Sequence, residues 1–270
     1  EFFLRLCGAL EIADFSFMQR PLDHVEEILE QFVDFPTAAA DQGLDLLKTA
    51  KKSIGKYKRL IVDISTQEAA DQRIAEILST QGLEAAVSSL SADSEMARRL
   101  SPDTRALLIF MQGIDLYEQG AKTEDAAQAT LFYRRAREKY ATAHAIKPDS
   151  HDTLNNWGAA LTAQARHCPD EEARQLWAEA REKYAAALAI KPDTNEALNN
   201  WGNVLHAQAK RSSDEEARRL WAEADEKYAA ALAIKPDSYD ALYNWGLSLA
   251  IQAQRSPGEG LVRAAPGMVG

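Results

Sequence analysis

Cysteine is almost missing from this chain. Cys7 and Cys168 are the two in 270 residues, too few and too isolated for a disulfide framework or a cysteine-rich metal site. Each reads as a small apolar side chain or an idle thiol. The five histidines, His24, His144, His151, His167 and His206, lack the i, i+4 pairing that puts two imidazoles on one metal. Long apolar runs are missing too, since none approaches the roughly 20 residues a bilayer span needs. The opening Phe2-Phe3-Leu4-Arg5-Leu6 lacks the basic start of a signal peptide. Excess positive charge is also lacking. A net charge of −10 argues against a nucleic-acid footprint, because phosphate binding needs a surplus of Lys and Arg. The chain shows no phosphate-cradling glycine loop, no nucleophile elbow and no cysteine beside a base. These absences lead to an expectation of a cytoplasmic protein that is not an enzyme, with no catalytic residues, no metal, no cofactor and no membrane insertion.

What is present is a word of 44 residues. Asn155-Asn156-Trp157-Gly158 returns as Asn199-Asn200-Trp201-Gly202 and as Tyr243-Asn244-Trp245-Gly246. Glu138-Lys139-Tyr140 returns as Glu182-Lys183-Tyr184 and Glu226-Lys227-Tyr228, and Ala-Ile-Lys-Pro-Asp closes on Pro148, Pro192 and Pro236. A fixed period of this length indicates a stacked array whose units bury their apolar faces on one another. Within one unit, Asp193-Thr194 opens a helix, and Leu198, Trp201 and Leu205 follow at three- and four-residue spacing. Ser212 and Ser213 each stand three residues before a glutamate, so a capping box is expected at the second helix. That helix carries Leu220, Ala224, Tyr228 and Ala231, and Pro236 ends it. Glycine inside a helix is unfavourable by about 1 kcal/mol against alanine. Gly158, Gly202 and Gly246 at one phase therefore predict a facing helix too close to admit a Cβ.

Asn200-Trp201-Gly202-Asn203 with Tyr184, Ala187, Leu188, Ile190 and Pro192 resembles the tetratricopeptide repeat (TPR) family. The resemblance implies an all-α fold, a right-handed α-solenoid of helix-turn-helix repeats. It covers about 102–255, with units at about 102–148, 149–192, 193–236 and a partial unit at 237–255. In the first unit Gln112-Gly113 replaces Trp-Gly, and Phe132-Tyr133 replaces Leu-Trp. The period exceeds the family norm of about 34 residues, so the additions, including Trp177 and Trp221, lengthen the helices as core wedges.

Residues 1–100 form a helical region of unrecognised family, expected to cap the array. Within it, 23–35 and 47–64 carry amphipathic spacing. Lys48, Lys51, Lys52, Lys56, Lys58 and Arg59 make a basic stripe, read as the solvated side of a helix. The apolar start without Met and the truncated last repeat suggest a fragment of a longer polypeptide. The Gly/Pro-containing tail at 256–270 is expected to be disordered.

The asparagines carry the functional expectation. In the family, first helices line a concave groove, and an Asn ladder there can hold the backbone of an extended peptide. Asn156, Asn200 and Asn244 would form such a ladder, flanked by Asn155, Asn199 and Tyr243, with Asn203 and His206 one turn on. An amide offers one acceptor and two donors, which match a peptide unit without reading its side chain. The same asparagines could instead bond the neighbouring repeat and pin its geometry. The paired lysines with which chaperone-binding members clamp a carboxylate are absent. The expected partner is thus a protein or peptide in an Asn-lined groove. Two other readings stay open: a sensor or regulatory arm of a larger enzyme or signalling ATPase, and a scaffold self-associating through its incomplete terminal repeat.

Overall fold

The computed structural model describes residues 66–91 and 93–255. The expectations for 23–35, for 47–64 with its basic stripe, for Cys7 and His24, and for the tail at 256–270 lie outside the described residues. Every regular element among the described residues is an α-helix, and the chain divides into two compact units, one ending at Thr104 and the other starting at Arg105.

In the first unit, helix α1 (66–91) buries Ala70, Ile74, Ile77 and Ala86. A short α2 (Ser94–Arg99) follows, with the Asp93 carboxylate accepting from the backbone N–H groups of Glu95 and Met96, 3.0 Å each. That is N-capping by side chain. Pro102 opens the next helix, where its missing N–H has no intrahelical partner to lose.

The second unit is an α-solenoid of antiparallel helix pairs. The pairs are α3 (Pro102–Lys122) with α4 (Ala126–Ile146), α5 (His151–Ala165) with α6 (Asp170–Ile190), and α7 (Asn195–Lys210) with α8 (Asp214–Ile234). A single helix, α9 (Tyr239–Arg255), follows. The links obey the proline logic. Lys147, Lys191 and Lys235 leave the helical region at ψ 85, 93 and 90°, because each precedes a proline. Their backbone N–H groups donate to Ala143, Ala187 and Ala231, satisfying one last-turn carbonyl in each helix.

The expected capping box at α8 does not form. Ser213 is the N-cap residue but its side chain makes no cap bond, and Ser212 Oγ turns back to donate to the Gln208 carbonyl at 3.0 Å. Asp214, Glu215 and Glu216 in the first turn meet the positive end of the helix dipole instead.

The glycine expectation holds at Gly158 and Gly202 and fails at Gly246, where a built Cβ meets none of the described residues within 4 Å. A Cβ built on Gly158 would stand 2.7 Å from the Tyr184 ring, and one on Gly202 would stand 2.6 Å from the Tyr228 ring. In the divergent first pair, Gly113 faces Tyr140 and Gly120 faces Tyr133 in the same way. Each tyrosine ring occupies a notch that only glycine leaves open. Trp177 and Trp221 are 2% and 3% exposed, in the core as expected.

Candidate functional site

The first helices α5, α7 and α9 lie side by side, and the asparagines bridge them. Asn200 Nδ2 donates to Asn155 Oδ1 at 3.2 Å, and Asn244 Nδ2 donates to Asn199 Oδ1 at 3.1 Å. Asn156, the first of the series, donates instead to the Asp152 carbonyl of its own helix at 2.9 Å. Asn199 is buried, Asn155, Asn156, Asn200 and Asn244 are half-buried, and Tyr243 is exposed. Asn203 Oδ1 accepts the Tyr228 hydroxyl proton at 2.8 Å, which holds the ring seated on Gly202. His206 Nδ1 lies 2.9 Å from Ser248 Oγ, joining α7 to α9. Burial, followed by the nearby Lys210 ammonium, lowers the His206 pKa from its ordinary value.

A groove of about 350 Å³ runs between α7 and α9. Asn203, His206 and Asn244 line it together with Lys210, Leu247 and Ile251. Three of the eight expected residues thus come together around one space. Asn155, Asn156, Asn199, Asn200 and Tyr243 are not among its lining residues. The groove is mixed in character: amide and imidazole at its middle, aliphatic carbons along α9, and cations at one end where Arg166 and Lys210 stand. It offers amide, imidazole and ammonium groups for hydrogen bonding. Among the described residues, no three His, Cys, Asp or Glu side chains gather as a metal site, and no helix is long and apolar enough to cross a membrane.

A second set of residues, missed in the sequence, holds successive repeats together. Arg211 lies over the Trp177 ring, 5.4 Å from its centroid. Its Nε donates to Asp170 at 2.6 Å, and its terminal nitrogens donate to the carbonyls of Ala165 and Cys168 at 3.2 and 2.9 Å. Arg255 repeats this on Trp221, Asp214, Ala209 and Ser212. In the first copy His167 stacks on Tyr133 in their place. The signal was available: arginines 44 residues apart, each 34 residues after a tryptophan. Only the fold shows that the fork reaches carbonyls at the C-terminal end of the preceding repeat's first helix. A further series on the second helices pairs Arg137 with Glu179 and Arg181 with Glu223 at 3.1 and 3.0 Å.

Comparison with known proteins bears on this arrangement. Residues 127–257, just under half of the chain, match the family model for the plant-specific mitochondrial import receptor subunit TOM20. No curated protein sequence matches the chain. Among solved structures, the first TPR of Spaghetti (RPAP3) bound to the HSP90 peptide SRMEEVD is 17% identical, over 53% of this chain and 94% of that one, with a TM-score of 0.35. The Sgt2 TPR domain from Aspergillus fumigatus is 18% identical over 58% and 93%, with a TM-score of 0.37. The family match overturns the expectation of a cytoplasmic location, since it points to the mitochondrion. That expectation rested on a missing signal peptide and a missing span, and neither absence encodes an address.

Proposed function

We propose that this chain is a protein-interaction module that takes a segment of a protein chain into the α7–α9 groove, in the manner of a mitochondrial import receptor. The observation that carries the reading is the convergence of Asn203, His206 and Asn244 with Leu247 and Ile251 around one groove of about 350 Å³. Amides supply backbone-directed hydrogen bonds, and the aliphatic rim supplies apolar contact. A groove built this way binds without bond-making chemistry. The similarity of 127–257 to an import receptor subunit supports a precursor protein as the bound chain. Asn155, Asn199 and Asn200 then act beside the groove, where the inter-repeat bonds fix the distance between α5, α7 and α9.

The test is fluorescence anisotropy of a labelled mitochondrial presequence peptide titrated with the full chain. Leu247 is exposed, so Leu247→Asp leaves the core intact while placing a charge on the rim. The expected result is saturable binding that weakens at least about tenfold, roughly 1.4 kcal/mol, in the variant. Equal affinity for variant and parent would overturn the groove, and no binding by either would overturn the receptor reading.

A further inference from the structure

The joint between α7 and α9 departs from the repeat at one level. The counterparts of His206 and Ser248 one repeat earlier are Thr162 and Val204. Thr162 donates to the Gly158 carbonyl of its own helix at 2.8 Å, and Val204 is fully buried. Neither side chain titrates. At the same level between α7 and α9, His206 Nδ1 lies 2.9 Å from Ser248 Oγ, and Ser248 is itself fully buried. Valine fills that place one repeat earlier, so packing alone does not call for a hydroxyl there. On either side the joint is held by groups that keep their charge state between about pH 5 and 8. These are Asn244 on Asn199, and Arg255 on the Ala209 carbonyl.

The hydrogen bonds around Ser248 run in one direction. A carboxylate only accepts, so Asp225 turns the amide nitrogen of Gln252 toward itself, 3.3 Å away. The same nitrogen gives its second hydrogen to Ser248 Oγ at 3.3 Å. The single Ser248 proton is then left for His206 Nδ1, which accepts it. The imidazole is therefore neutral, with its own proton on Nε2. A proton added at Nδ1 would set two hydrogens against each other in a 2.9 Å contact, and solvent does not reach Ser248 to relieve it. The surroundings oppose the charge as well. Lys210 and Arg211 of α7 and Arg166 at the end of α5 line the same groove, as does Tyr228 of α8. The lining residues of α6 and α9 are not ionisable, and no carboxylate is among the lining residues. Asp225, also on α8, meets this network at Gln252.

We propose that His206 is a pH-sensitive latch on the α7–α9 groove. Neutral, it accepts the Ser248 proton and holds the middle of α9 against α7, with Leu247 and Ile251 lining the groove. Protonated at Nδ1 from solvent, it loses that bond and the middle of α9 loosens. A fourth cation then joins Arg166, Lys210 and Arg211 where a bound segment lies. Acid thus releases the segment. The closed joint favours the neutral ring, so the latch is shut above the ordinary histidine value of 6.5 and opens as pH falls below it. Control of binding rests on the groove reading, whereas the latch itself does not.

Two readouts separate the latch from the groove. Amide hydrogen exchange of the full chain, corrected for the intrinsic pH dependence of exchange, compares α9 with α5 at about pH 7.5 and about pH 5.5. Protection of residues 247–252 is expected to fall by about three- to tenfold at the lower pH, while α5 stays level. Binding of a labelled presequence peptide without histidine is expected to weaken at least about threefold over the same step. His206→Gln keeps an acceptor for Ser248 and does not titrate. Ser248→Val installs the side chain found one repeat earlier. Each variant is expected to remove the pH dependence from both readouts. Protection of α9 that is unchanged by pH in the parent, or that changes equally in His206→Gln, would overturn the latch. Protection that falls while affinity stays level would overturn its control of binding. A peptide that binds at neither pH, with α9 still loosening in acid, would overturn the groove reading and support the latch.

Discussion

Gly202 and Gly246 both follow Asn-Trp in sequence and have opposite surroundings in space. Alanine at 202 gains helix propensity of about 1 kcal/mol, yet its Cβ would meet the Tyr228 ring at 2.6 Å. That ring is tied to Asn203 and cannot swing away without losing its bond. Overpacking of this kind usually outweighs the propensity gain, so Gly202→Ala is expected to destabilise by about 1–3 kcal/mol in urea unfolding. Gly246→Ala is expected to be neutral or stabilising by up to about 1 kcal/mol. The buried tyrosines also set an alkaline limit. Burial raises the Tyr140, Tyr184 and Tyr228 hydroxyls well above the ordinary value of 10.0. The unfolded chain ionises them first, so their contribution is complete below pH 10 and is lost as pH rises beyond it. Stability measured between pH 9 and 11 is expected to fall on the alkaline side. His206 works in the other sense. Its folded pKa is lowered, so stability is lost as pH falls below the ordinary value of 6.5.

At the scale of elements, the joints between repeats depend on geometry as much as on charge. Arg211 presents its planar fork to Asp170, Ala165 and Cys168 at once and lies on Trp177. A lysine keeps the charge and loses the fork. Arg211→Lys is therefore expected to cost nearly as much as Arg211→Ala, about 1–3 kcal/mol by denaturant titration. The partly exposed Arg181–Glu223 pair is a weaker joint. Removing it is expected to cost no more than about 1 kcal/mol. The period, the proline links and the helix pairs were legible in the sequence because a local rule writes each of them. The capping box was misread, because Ser212 finds a nearer acceptor in Gln208. The arginine clamps went unread because their partners lie more than 30 residues away.

For the whole molecule, an array of near-identical joints can be shortened without a new junction being invented. Deleting 193–236 joins two Lys-Pro-Asp links that already match. The shortened chain is expected to fold as an all-helical protein with lower stability, as read by circular dichroism and melting. It is expected to lose presequence binding, since the counterparts of Asn203 and His206 one repeat earlier are Ala159 and Thr162. A shortened chain that still binds as tightly would place recognition elsewhere.

The sequence alone determined the repeat, its helical composition and the phase at which glycine recurs inside the first helices. Those features follow from nearest-neighbour rules: proline ends a helix, apolar spacing marks a buried stripe, and a recurring glycine marks a close approach. Tertiary structure alone decided which amides face a groove and which face each other. Asn200 and Asn244 occupy the same phase of the repeat and make the same back-bond, yet only Asn244 also lines the groove. The physical reason is that exposure depends on what stacks next. The same Asn-Trp-Gly word meets different neighbours on α7 and on α9.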